Sequence, residues 1–224
     1  VAPSPDTSKA RIRARLALAI LEVLQAQDTP SEVLEDENPS QTMPRRLGLS
    51  GVVDRQVQLY RSDAMKRARI TDSQFHDLVQ LVVRRPDAPE IFWRAGRRMA
   101  EAGEQTALSR LLPDPLRNAR LRRRVRRRLK RVFGRTIGGF AQAPFTLEGR
   151  HLLFVRHSEQ GEACFLVSGM CQSIVEEVLG TEHQVVHDRC EARGDTSCRW
   201  TITADASTRE ASRAGDWMPE PEAS

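Results

Sequence analysis

Lysine is nearly missing from this chain. Of 35 basic residues only Lys9, Lys66 and Lys130 are lysine; the rest are arginine. Such a bias is common in proteins of GC-rich bacterial genomes, so arginine number alone says little about nucleic acid. Aromatics make up 5% of the residues, with a single tyrosine. Four cysteines in 224 residues are too few for a disulfide scaffold. Long apolar runs are also absent. The longest stretch without a charge, Ala163 to Val175, has 13 residues, whereas a spanning helix needs about 20. There is no G-x-G-x-x-G after a strand, no P-loop and no G-x-S-x-G, so the familiar nucleotide and hydrolase sites have no sequence signal here. The first residue is Val rather than Met, which leaves open a missing natural N-terminus or a removed signal peptide.

The charge that is present is unevenly placed. Arg117 to Arg135 holds eleven basic residues and no acid. The net charge of +5 less those eleven leaves −6 on the remaining residues. Leu121, Val125, Leu129 and Val132/Phe133 form a narrow apolar stripe through this segment, which predicts an amphipathic helix. Three readings stay open for it. It is a solvated helix packed by its stripe, a surface for anionic lipid or an acidic protein, or a contact for a nucleic-acid backbone. No base-reading motif accompanies it.

Hydrophobic periodicity divides the rest. Ser8 to Ala26 has a helical period, with Ile12, Leu16, Ile20 and Val23/Leu24 on one face. Residues 28–46 are rich in Pro, Ser and acids and read as a linker, so 1–46 is an N-terminal helix and linker. The main domain is expected over 47–204, with a helical half at 47–135 and an α/β half at 136–204. Helices are expected from Ser50, from Thr71 or Asp72 to Pro86, and from Asp87 to Gly103. Ala141, Ala143, Phe145 and Leu147 alternate as one strand, Glu148-Gly149 is a turn signal, and His151 to His157 is a second strand. A helix follows over 163–179, closed by Gly180. Gln184 to Cys190 and Arg199 to Thr203 are two more strands. Residues 205–224 are polar and acidic and read as a disordered tail. Helices followed by antiparallel strands predict an α+β fold, helices packed on a small antiparallel sheet.

The chemistry-bearing spacing is Cys164-x22-His187-x2-Cys190-x7-Cys198. Cys190 ends one strand and Cys198 begins the next, across a loop that can turn at Gly194-Asp195. Two thiolates at the base of a short loop plus a nearby imidazole suit tetrahedral zinc. Cys164 would come from the first turn of the preceding helix. Cys171 lies two turns further along that helix, about 10 Å away, and is expected as a buried thiol. Unpaired core thiols, or a disulfide between Cys190 and Cys198, remain the alternatives on spacing alone.

Ala163-Cys164 with Gly169 and Gly180, then His187-Asp-Arg-Cys190-Glu-Ala-Arg-Gly194-Asp195-Thr-Ser-Cys198-Arg-Trp200, resembles the C-terminal half of the 4-vinyl reductase domain family. That family is similar to the sensor modules of aromatic-responsive activators and distantly to TRAPP subunits. The resemblance covers roughly residues 140–203. It implies zinc ligands at Cys164, His187, Cys190 and Cys198, with a zinc knuckle near the C-terminal hairpin. His187 departs from the glutamate common in the sensors, so Asp188 and Glu191 are kept as substitutes for it. The resemblance also implies an apolar pocket, for which Phe92, Trp93, Phe133, Phe145, Phe154 and Phe165 are the candidate lining residues. The His and Trp with which phenol sensors hold a hydroxyl have no counterpart here. Four protein ligands fill zinc and leave no open position, so a structural Zn²⁺ is expected and no catalytic residue is assigned. His151, His157 and His183 are expected as ordinary histidines.

The expectation from sequence is a zinc-stabilised sensor or carrier of an apolar or aromatic small molecule, in a bacterial cytoplasm, with a homodimer left open. An enzyme or accessory factor of tetrapyrrole 4-vinyl reduction, or a protein-interaction scaffold, is the alternative.

Overall fold

The computed structural model describes residues 11–28, 51–100, 113–141, 145–155, 158, 160–180 and 183–203; for 51–54 only the backbone is described. In chain order the elements are β1 (Ile12–Arg13), α1 (Ala14–Asp28), α2 (Gly51–Met65), β2 (Arg69–Ile70), α3 (Asp72–Val83), α4 (Ala88–Ala100) and α5 (Asp114–Phe133). There follow β3 (Gly139–Phe140), β4 (Thr146–Gly149), α6 (Phe165–Val178), β5 (Gln184–Arg189) and β6 (Cys198–Thr203). The architecture is α+β, as the sequence order predicts. A four-stranded antiparallel sheet of order β3-β4-β6-β5 carries the C-terminal half, and β1 pairs with β2 in a second, two-stranded ribbon.

Local signals account for most boundaries. Thr71 caps α3: its hydroxyl accepts from the Gln74 backbone N–H at 3.1 Å while the Gln74 side chain accepts from the Thr71 N–H at 2.9 Å. This reciprocal capping satisfies two amides that a helix start leaves bare. Phe75, Leu78, Val79 and Val82 then face the core. Pro113 and Pro115 open α5, and its buried face is Leu121, Val125, Leu129, Val132 and Phe133. Ser50 lies outside the described residues, as do Ala143, His157, the linker over 29–46 and the tail after 203.

Three features differ from the periodic reading. The helix of residues 14–28, which the sequence sets before the main domain, packs in the same core as α4. Leu16, Ala17, Ile20, Leu21, Val23 and Leu24 are all buried. Its apolar residues run nearly all round, which marks a helix covered on several sides. Ile12 belongs not to that helix but to β1, opposite Ile70. The predicted first hairpin is displaced. The alternation over 141–147 spans the connection between β3 and β4 and reaches into β4, and the Ala141 N–H donates to the Thr146 carbonyl at 2.9 Å. Glu148 and Gly149 lie in β4, not in a turn. Over the described residues 151–155 the expected strand from His151 does not form: Leu152, Leu153 and Phe154 are buried one after another in a turn, where a strand with one face to solvent would alternate. His151 sits at φ 52 and turns the chain there.

The deepest element is α6, buried along most of its length. It meets α4 at backbone distance. A Cβ on Gly169 would come within 3.0 Å of the Trp93 carbonyl, and one on Gly96 within 3.0 Å of the Leu166 carbonyl. The two glycines make the crossing reciprocal, and the close approach fixes where the start of α6 lies.

Candidate metal centre

Cys164 ends a short 3-10 turn, Glu162–Cys164, that leads into α6. Gly161 precedes it in the left-handed region at φ 87. The turn is held by the Cys164 N–H bonding the Gly161 carbonyl at 2.9 Å and by Ser158, whose hydroxyl donates to the Glu162 carboxylate. On the sheet, β5 pairs with β6 so that His187 lies opposite Trp200, but the next pairing is Arg189 with Arg199. Two residues of β5 therefore oppose one of β6 at a bulge. A bulge reverses the alternation of faces, so His187 and Cys190, three apart, reach the same side. Asp188, the extra residue, turns outward onto Arg199, at 2.9 and 3.0 Å from its Nε.

The loop from 190 to 198 is shaped by its backbone. The Arg193 and Asp195 N–H groups both bond the Cys190 carbonyl, at 3.0 and 3.1 Å. Asp195 Oδ2 accepts from the Cys190 N–H at 2.7 Å, and Gly194 turns the chain at φ 95. The Glu191 N–H points at Cys198 Sγ, 3.4 Å away, a donor aimed where a thiolate would carry charge.

Cys164, His187, Cys190 and Cys198 converge: one ligand atom of each lies within 4.8 Å of every other, and all four residues are buried. Cys164 Sγ is 3.8 Å from Cys190 Sγ and 4.0 Å from Cys198 Sγ. A disulfide would bring sulfurs to about 2.05 Å, and all four cysteines are free thiols. His187 Nε2 is buried with no hydrogen-bond partner. Such an orphan is costly unless something else accepts its lone pair. The imidazole stacks on Trp200 at 4.8 Å and meets Phe165 edge-on at 6.5 Å. The Trp200 indole N–H in turn donates to Ser168 at 3.1 Å.

The thiols do not share charge equally. Hydrogen bonds from Cys164 and Cys198 pull the Cys190 pKa far down, against its burial. Cys164 is pushed well up by those same sulfur contacts and by burial. For Cys198 the contact with Cys164 lowers the pKa, but Cys190 and burial outweigh it and push it up to about 12. A metal ion would draw off thiol protons, and these four residues could hold it.

The substitutes for His187 stand elsewhere. Asp188 is paired with Arg199, and Glu191 Oε1 accepts from the His151 N–H at 3.0 Å. Cys171 is outside the cluster, fully buried in α6, where desolvation pushes its thiol up. His151 is exposed and His183 half-buried. The aromatic candidates are distributed. Phe133 and Phe154 pair at 5.6 Å, Phe145 meets Phe140 at 5.1 Å, and Trp93 lies under Arg97 at 4.9 Å. Phe92 is fully buried, and Phe165 meets the His187 ring of the cluster. The sequence reading quoted Trp200 in the motif without giving it a role and did not single out Gly161 or Gly96. Only Gly161 had a signal, a Gln-Gly pair before the cysteine.

Compared with protein-family models, curated proteins and solved structures, the chain matches none. Among the described residues no helix is long and apolar enough to cross a membrane.

Proposed function

We propose that this chain is a small-molecule-binding protein whose sheet is stabilised by one structural zinc ion. The observation that carries the reading is the convergence of three thiols and one imidazole in a buried cluster. Bonds of about 2.3 Å to a tetrahedral ion imply sulfur–sulfur edges of about 3.8 Å, the separation of Cys164 from Cys190. Thiolates with one imidazole favour zinc over the hard cations, which take oxygen. All four positions are filled by protein, so the metal would brace the start of α6 against the β5–β6 hairpin rather than meet substrate. The resemblance of residues 140–203 to the 4-vinyl reductase family supports the same ligand set. It also supports an apolar or aromatic ligand held by the helical layer and the sheet, in a cytoplasmic sensor or carrier.

A second reading, an interaction scaffold, is favoured by the aromatic side chains. Phe133, Phe154 and Phe145 are buried in ring pairs within the core. Melting curves with a panel of aromatic, fatty and tetrapyrrole compounds separate the two. A ligand that binds only the native state raises the Tm in a dose-dependent way. A flat panel favours the scaffold, and turnover of a vinyl-bearing substrate with NADPH would favour a reductase.

A further inference from the structure

Arginines from three separate parts of the chain converge on one surface. In the β1–β2 ribbon Arg13 lies directly opposite Arg69. Arg13 Nη1 donates to the Arg67 carbonyl at 2.7 Å, and Arg69 Nη1 donates to the Arg11 carbonyl. The ribbon packs on the end of α5, where Gly134 closes against the Arg11 carbonyl and the Arg69 guanidinium. Arg131, in the last turn of α5, is exposed there, as are Arg15, Arg67 and Arg69. The fields of Arg69, Arg67 and Arg131, after burial, lower the pKa of Arg13. Those of Arg131, Arg124 and Arg15, after burial, do the same to Arg128.

This arrangement costs stability in two ways. Like charges directly opposite in an antiparallel pair repel. Arg67 also holds φ 56, the left-handed region that a non-glycine residue adopts only under strain. Among the described residues no acid forms an ion pair with Arg13, Arg67, Arg69 or Arg131. Two guanidiniums are anchored to backbone carbonyls, so the charge is fixed in place before any anion arrives. Met65, 76% exposed, stands just before Lys66 and Arg67.

We propose that the β1–β2 ribbon and the C-terminal turn of α5 form a docking surface for an anionic phospholipid bilayer. The guanidiniums engage lipid phosphates, and Met65 enters the interface beside them. Phosphate suits arginine because the planar fork binds two oxygens at once. A bilayer is favoured over nucleic acid by the exposed Met65 and by the aromatic residues. Among the described residues no Phe, Tyr or Trp side chain is more than partly exposed for bases to stack on. The inference uses none of the metal ligands and stands whether or not the zinc reading does.

The test is co-sedimentation of the full chain with vesicles of phosphatidylcholine alone and with about one third phosphatidylglycerol. Binding is expected only to the anionic vesicles and should fade as salt rises. Each of Arg67→Gly, Arg69→Gln and Arg131→Gln should lower the partition coefficient about fivefold. Arg84→Gln removes the same charge at the far end of α3 and should leave partition within about twofold of the parent. Arg67→Gly separates binding from folding, since relief of the left-handed strain should hold or raise the Tm while binding falls. Met65→Ser should weaken vesicle binding and leave its salt dependence unchanged. Equal binding to neutral vesicles would overturn the proposal, as would wild-type partition in the three arginine variants. Capture by duplex oligonucleotide without capture by anionic vesicles would overturn it in favour of a nucleic-acid backbone.

Discussion

Substituting Gly161 by alanine is the sharpest small perturbation of the proposed metal centre. Gly161 stands at φ 87, and a Cβ there would come within 3.0 Å of Cys190 Sγ. The left-handed backbone alone costs a non-glycine residue about 1–2 kcal/mol. The clash adds about 1–3 kcal/mol of overpacking, because a sulfur held by the proposed metal could not swing away as a free side chain can. Gly194→Ala isolates the first contribution: Gly194 has φ 95, but a Cβ there meets nothing within 4 Å. Gly194→Ala should therefore lower stability by about 1–2 kcal/mol and leave zinc affinity nearly intact. Gly161→Ala should lose about 2–5 kcal/mol and weaken zinc at least tenfold. Thermal melts and competition with a chromogenic chelator measure both quantities. Equal zinc affinity in the two variants would refute the claim that Gly161 is reserved for the Cys190 sulfur.

Other perturbations follow from the same geometry. Zinc binding should release thiol protons from the cluster, because burial and the sulfur contacts push Cys164 and Cys198 up while zinc takes thiolates. The zinc Kd of the folded protein should then rise at least about tenfold per unit fall in pH near neutrality, and a pH-independent Kd in chelator competition would contradict this. Gly169→Ala or Gly96→Ala should lower stability by about 1–3 kcal/mol in denaturant titration, since each Cβ would strike the backbone of the facing helix; unchanged midpoints would show that α4 and α6 can part freely. Arg85 bonds Asp28 at the end of α1 and Asp87 before α4, at 2.7 and 2.8 Å. Both ends are partly exposed, so Arg85→Ala should cost only about 1 kcal/mol. Asp87 is held below the usual carboxylate range by its hydrogen bond from Arg85. Its contribution is present above the unfolded carboxylate pKa of about 4 and is lost as pH falls through the folded value. The gap between Arg85→Ala and the parent in pH-dependent melts should therefore narrow in acid, and a gap constant down to pH 2 would contradict the pairing.

The sequence made some of this legible and hid the rest for identifiable reasons. The α+β class and the buried stripe of α5 followed from period, and the start of α3 was placed at Thr71 or Asp72 without its reciprocal cap. The four convergent ligands were named from spacing. The reason His187 and Cys190 share a side, the bulge at Asp188, is a ladder irregularity that alternation cannot announce. The first hairpin was misplaced because Phe145 and Leu147 continued an alternation that began before the β3–β4 connection. The run Leu152-Leu153-Phe154 looked like strand, yet consecutive apolar residues suit a buried turn equally well. The place of α1 in the core was hidden by the linker that follows it: a Pro- and acid-rich segment marks a connection and says nothing of where the preceding helix packs. Gly96 and Gly169 act across a helix crossing, a relation between elements that neither local sequence carries.

The most direct test of the central claim is native mass spectrometry of the full chain purified without added metal, paired with the same measurement on Cys190→Ser/Cys198→Ser. The account predicts one zinc per chain in the parent, none in the double variant, and zinc retained in Cys171→Ser. A parent that folds with its full Tm free of metal, or a double variant that still carries zinc at full occupancy, would contradict it.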